Sequence, residues 1–193
     1  MTKLVLFGDS ITAGYLGEAA SPILTNLVKA ALAAQGFENI MISNAGIPGD
    51  TSSGGVKRLE KDVLAKEPDY VTIFFGANDC SDNYPIDVDK YGENLTEMIE
   101  KIGREKVILF TAPFVVSARQ PSRQDETVRR FVAKGKEIGE QFAVPTVDMY
   151  HALSVYPGTE EFFQDDGLHF SESGYEFLAA LIVREIKGKL LDS

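Results

Sequence analysis

One cysteine in 193 residues excludes an internal disulfide framework, and with it the usual mark of an oxidising compartment. Two histidines, His151 and His169, together with that lone Cys80, lack the paired spacing of a zinc site. Positive charge is scarce: 19 basic residues stand against 29 acidic ones, a formal net charge of −10. A nucleic-acid backbone or an anionic membrane surface calls for a basic patch, so neither is an expected partner. No apolar run is long enough to span a bilayer. The N-terminal apolar run passes straight into Gly8-Asp9-Ser10, without the length or the small-residue cleavage site of a signal peptide. The expectation is a cytoplasmic protein with no membrane span, in which the glycosylation match Asn94-Leu95-Thr96 carries no meaning. A G-x-S-x-G elbow, a Walker A run and a G-x-G-x-x-G run are all missing. Asp87-x-Asp89 with Gly92 faintly resembles a calcium loop, but Tyr91 and Met98 occupy positions that should be ligands. No metal and no organic cofactor is expected.

What is present reads as one globular domain, residues 1–193, with 44% hydrophobic and 25% charged residues and no linker or internal repeat. Five short, nearly continuous apolar runs read as strands, at 3–7, 39–43, 70–75, 106–111 and 145–148. Such runs suit strands covered on both faces of a parallel sheet. Helical patterns lie between and after them, at 22–34 with Ser21 as N-cap, 55–65, 88–102, 127–142 and 173–191. The alternation predicts an α/β fold, a three-layer flavodoxin-like arrangement with a five-stranded parallel sheet in the order 2-1-3-4-5. The longer irregular stretches, 80–87, 113–126 and 153–166, are expected to gather at the sheet edge that presents Ser10, as walls of a pocket.

Leu4-Val5-Leu6-Phe7 stops at Gly8, and Ser10 follows at once, so a hydroxyl is presented where ligands bind in open α/β sheets. A serine becomes a nucleophile when a base takes its proton and a third group orients that base. In Asp165-Asp166-Gly167-Leu168-His169, a carboxylate three residues ahead of the imidazole can reach Nδ1–H within one loop. His151 has no carboxylate so placed, and His169 is therefore the preferred base. Acyl transfer also needs donors for the developing oxyanion. Gly49 can turn its N–H toward the site, Asn78 brings an amide NH₂ after the third strand, and Ser10 N–H is a third candidate. Singly, each loop is as easily an ordinary turn. Their joint occurrence after strands one, two and three gives the pattern its weight. Blander roles fit the neighbours: Cys80 as a packing residue, Asp9 as a turn former, Asp79 as the anchor of its own loop. Phe114, Val115, Val116, Tyr84 and Tyr156 read equally as core or as acyl contacts.

Gly8-Asp9-Ser10, Asn44-x-Gly46-x-x-Gly49-x-Thr51, Gly76-x-Asn78-Asp79 and Asp166-x-x-His169 resemble, in order, the four blocks of the SGNH (GDSL-type) hydrolase superfamily. The resemblance implies the flavodoxin-like fold, Ser10 as nucleophile, His169 as base, Asp166 as its orienter, and Ser10, Gly49 and Asn78 as the oxyanion hole. Phe75-Gly76-Ala77-Asn78-Asp79-Cys80 and Asp166-Gly167-Leu168-His169-Phe170-Ser171 look most like the isoamyl acetate-hydrolysing esterases. Gly49-Asp50-Thr51-Ser52 is more loosely similar to the lysophospholipase/thioesterase branch.

The expected activity is hydrolysis of small carboxylic esters, acetyl to butyryl, through an acyl-enzyme on Ser10. A lysophospholipase or thioesterase, or an acyltransferase using the same acyl-enzyme, would need the same residues. A non-catalytic small-ligand binder would leave the Asp166-x-x-His169 pair without purpose. The sequence carries no mark of oligomeric state.

Overall fold

In the computed structural model, which describes residues 1–84 and 86–191, five parallel strands form one sheet. They are β1 (Thr2–Gly8), β2 (Ile40–Gly46), β3 (Tyr70–Phe74), β4 (Val107–Phe110) and β5 (Thr146–Val147). Their spatial order is β2-β1-β3-β4-β5. Pro85, inside the expected 80–87 loop, and Asp192 and Ser193, at the end of the expected domain, lie outside the described residues.

Both faces of the sheet are covered, which is why its strands read as apolar runs rather than alternating ones. Helices α1 (Ile23–Ala33) and α6 (Glu172–Leu191) pack on one face, where Leu4 and Leu6 of β1 meet Leu24, Val28, Leu178 and Ile182. Helices α2 (Ser52–Asp62), α3 (Val88–Ile102) and α4 (Asp125–Phe142) cover the other, where Val5 and Phe7 meet Leu59, Leu95 and Val128. The alternation along β1 is the two-residue period of a strand, here shared between two cores. No helix among the described residues is long and apolar enough to cross a membrane.

Helix starts differ from the sequence expectation, α4 by two residues, α6 by one, and α2 and α1 with an identifiable cause. Helix α2 begins at Ser52 rather than at residue 55, because the Thr51 side chain caps it by accepting from Gly54 N–H. Pro22, not Ser21, holds the N-cap position of α1, and it makes no side-chain cap. The Ser21 hydroxyl instead donates to Gly14 O at 2.7 Å. Two small elements carry too little periodicity to be read from sequence. One is an antiparallel ribbon of Tyr15–Leu16 with Ala19–Ala20, and the other is the short helix α5 (Met149–Ser154).

Register fixes what stands at the sheet edge. Gly8 pairs with Gly46 of β2 and with Phe74 of β3, so three strands end side by side. Gly46 lies against the turn that follows Ser10, and a methyl there would drive into the backbone of Thr12 and Ala13. Gly46→Ala is therefore expected to cost about 1–3 kcal/mol, the usual range for overpacking, read as a lowered urea midpoint. An unshifted midpoint would mean that the turn backs away freely.

Candidate active site

The turn after β1 is built by its own side chain. Asp9 Oδ1 accepts from Ile11 N–H at 2.9 Å, and Ala13 N–H returns to Asp9 O, also at 2.9 Å. Ser10 sits at the start of that turn, 5% exposed, with its hydroxyl at the end of the sheet. An imidazole arrives from 159 positions along the chain. His169 Nε2 lies 3.0 Å from Ser10 Oγ, and His169 Nδ1 lies 2.5 Å from Asp166 Oδ2. Asp166 is fixed by its own loop, since Oδ1 accepts from Leu168 N–H at 2.9 Å and His169 N–H at 3.0 Å. Burial on its own raises the Asp166 carboxyl, but the Leu168 N–H, the His169 ring and the His169 N–H outweigh it and hold it below the usual carboxylate range.

The end of β2 and the loop after it are tied to the end of β1 and its turn. Asn44 Nδ2 donates to Thr12 O at 2.7 Å, and Ile47 N–H donates to Gly8 O at 3.1 Å. Gly49 has a φ of 76°, the left-handed region where glycine is at ease. The loop after β3 carries Asn78, 5% exposed, whose Nδ2 donates to Asp50 O at 2.8 Å. Among the described residues, the N–H groups of Ser10 and Gly49 have no protein acceptor. Such an arrangement is equipped to take a proton from a serine hydroxyl and to offer several N–H donors to a developing oxyanion.

A family model for the GDSL-like lipase/acylhydrolase family matches residues 6–177. The chain belongs to this family. A GDSL-type member of this kind is a carboxylic ester hydrolase, and its solved and curated relatives agree. The crystal structure of the lipase/acylhydrolase from Enterococcus faecalis is similar at 56% identity and a TM-score of 0.96, covering 98% of this chain and 97% of that one. An acetylxylan esterase of Geobacillus stearothermophilus is 28% identical over 95% of this chain and 93% of its own length. An isoamyl acetate-hydrolyzing esterase 1 homolog of Mus musculus is 27% identical over 91% of this chain and 78% of its own.

Other residues of this GDSL-type site escaped the sequence reading. The Tyr15 ring lies on the His169 imidazole with centroids 4.4 Å apart. Gln164 fastens the Tyr15 ribbon to the histidine loop, donating to Tyr15 O at 3.0 Å and Phe170 O at 2.9 Å while accepting from Gly17 N–H at 2.9 Å. Arg58 draws the ends of β1 and β2 and the loop after β2 together, reaching Gly8 O at 2.8 Å, Ala45 O at 2.7 Å and Asp50 Oδ2 at 2.7 Å. Tyr15 stands only five positions after Ser10, which was the available signal. Nothing in the local sequence marks Arg58 or Gln164, which reach across the chain to Gly8, 50 positions away, and to Tyr15, 149 positions away.

His151 lies elsewhere, on α5, in an open groove of about 550 Å³ against α4 that shares no lining residue with the Ser10 site. Tyr84 comes to the site, with its hydroxyl 3.6 Å from where a Gly49 Cβ would stand. Tyr156 does not: it packs on Phe162 and Phe177. Phe114 packs edge-on against Tyr150 and Phe163. Asp79 anchors more than its own loop, because it accepts from the N–H and the hydroxyl of Ser52 at the start of α2. Asn94 is buried and donates to Ser52 Oγ and Ser53 Oγ, both at 2.8 Å, so the glycosylation match falls inside the protein. Burial pushes the Cys80 thiol up to about 12, which suits a packing residue.

Two carboxyls, Asp9 in the turn of Ser10 and Asp79 in the loop of Asn78, are buried. Burial, reinforced by the charges of Asp79 and Asp50 and opposed by the Ile11 N–H and Arg123, pushes Asp9 up to about 7. Burial against the Ser52 donors pushes Asp79 to about 6. A carboxyl held above its unfolded value favours the fold while protonated and weakens it as pH rises through the folded value. For Asp9 that window runs from the ordinary 3.8 to about 7. Asp9→Asn, which keeps the acceptor for Ile11 N–H, should therefore gain on wild type between pH 5 and pH 8 in urea midpoints. A gap independent of pH would show that Asp9 stays ionised throughout.

Proposed function

We propose that the chain hydrolyses small esters of short acids, acetyl to butyryl, through an acyl-enzyme on Ser10, within one hydrolase domain spanning 1–193. The observation that carries this reading is the unbroken line from Ser10 Oγ to His169 Nε2 at 3.0 Å and from His169 Nδ1 to Asp166 Oδ2 at 2.5 Å. With Asp166 accepting from Nδ1–H, Nε2 is the free base that faces the hydroxyl. His169 takes the Ser10 proton as Oγ attacks the ester carbonyl. Ser10 N–H, Gly49 N–H and the Asn78 amide stabilise the tetrahedral oxyanion. The imidazolium then protonates the departing alcohol, and water, deprotonated by the same imidazole, releases the acid from Ser10. No step calls for a metal or an organic cofactor.

The short-chain preference draws support from relatives named for acetyl esters, the acetylxylan esterase and the isoamyl acetate-hydrolyzing homolog. Cytoplasmic residence belongs to the same proposal and is supported by a single thiol with no disulfide partner.

The test is a p-nitrophenyl ester series, acetate through laurate, on wild type and Ser10→Ala. The expected result is a rate maximum at acetate or butyrate that vanishes in the variant. A maximum at long chains would reassign the substrate to the lipase or lysophospholipase class, and turnover surviving in Ser10→Ala would remove the acyl-enzyme. Asp166→Asn is expected to lower kcat by roughly 10²–10⁴, because an amide no longer fixes the imidazole tautomer. If Asp165→Asn were the inactive variant instead, the orienting carboxylate would be its neighbour.

A further inference from the structure

We infer that Arg123 is a positioning residue for the reaction, acting through Asn78 by selecting and strengthening its oxyanion-facing amide. The inference rests on the proposed role of Asn78 as an oxyanion donor. Arg123 lies ahead of α4 and is 6% exposed, so its guanidinium is a buried cation. Its Nε donates to Ala77 O at 2.7 Å, its Nη1 to Gln120 Oε1 at 2.7 Å, and its Nη2 to Asn78 Oδ1 at 3.2 Å. Its charge acts on two buried ionisable groups, Asp9 and Cys80.

A guanidinium has donors and no acceptor, so the Asn78 atom that faces it must be the oxygen. The NH₂ is thereby turned the other way, and one of its hydrogens goes to Asp50 O at 2.8 Å. The second hydrogen of the planar group is left for a substrate oxygen. A flipped amide would set its NH₂ against the guanidinium and its oxygen against the Asp50 carbonyl, two repulsive contacts in a buried place. Arg123 thus holds the Asn78 amide in one orientation. Its charge on Oδ1 also draws electron density from the amide nitrogen, which makes the N–H a stronger donor to negative charge. That advantage grows as the oxyanion forms and is small for the neutral carbonyl of bound substrate, so it belongs in kcat rather than KM. Gln120 extends the link: while it accepts from Arg123, its Nε2 donates to Asp166 O at 3.0 Å.

The experiment is a double-mutant cycle on the full chain. Steady-state kcat and KM for p-nitrophenyl acetate are measured for wild type, Arg123→Met, Arg123→Lys, Asn78→Ala and both Arg123 variants combined with Asn78→Ala. Rates are taken per folded protein, gauged by circular dichroism. Asn78→Ala should lose roughly 10²–10³ in kcat, the usual effect of one missing oxyanion donor. Arg123→Met should lose about 10- to 100-fold in kcat with KM within about threefold, a part of that same effect. Arg123→Lys should fall between it and wild type, since an ammonium keeps the charge without the planar fork. In the Asn78→Ala background both Arg123 substitutions should change kcat by less than about threefold, because coupled residues are not additive. If Arg123→Met does not fold, the lysine variant carries the cycle alone. Equal losses in both backgrounds, or a raised KM with kcat intact, would overturn the inference and leave the role of Asn78 standing. Wild-type kcat in Asn78→Ala would overturn both.

Discussion

The site depends on β1 having a hydrogen-bonded neighbour on each side. Gly8 is in register with Gly46 and with Phe74, so the turn carrying Ser10 emerges between the loops that carry Gly49 and Asn78. A one-residue slip of β1 would exchange Leu4 and Leu6 with Val5 and Phe7 between the two cores. The hydrophobic pattern of a single strand therefore fixes the placement of a hydroxyl. The crossover helices on both faces follow from the same constraint, since parallel neighbours cannot be joined by a short turn.

Packing brings the loops to one edge, and buried polar contacts hold them there. Arg58 collects the carbonyls of Gly8 and Ala45 and the carboxylate of Asp50. Asp79 binds the first residue of α2, and Asn94 of α3 reaches the same serine. No buried side-chain nitrogen or oxygen among the described residues is left without a partner. A network satisfied in this way is rigid, and rigidity is what oxyanion donors need if they are not to reorganise as charge develops.

The sequence made the sheet, its two covered faces and the four motif loops legible, because each is written locally. Apolar runs spell strands, and Asp166-Gly167-Leu168-His169 sets its acid and its imidazole within one turn. Val88–Ile102 was readable to the residue, with Asp87 ahead of it and Gly103 behind. The start of α2 lies three positions before the expected 55, because Thr51 serves both in its motif and as the helix cap. What stayed hidden is held by contacts between distant positions. Arg123 and Asn78 stand 45 apart, and Arg58 and Gly8 stand 50 apart. An arginine that will be buried looks in sequence like any surface arginine.

Ser10 and His169, which meet at 3.0 Å in the site, are separated by 159 positions. During synthesis the serine and both strands that flank it leave the ribosome long before the imidazole exists. Any nascent chain that stops short of residue 169 holds the hydroxyl without the imidazole, and α6, which covers one face of the sheet, comes later still. On the proposed roles of Ser10 and His169, the nascent chain is inert until residue 169 has been made.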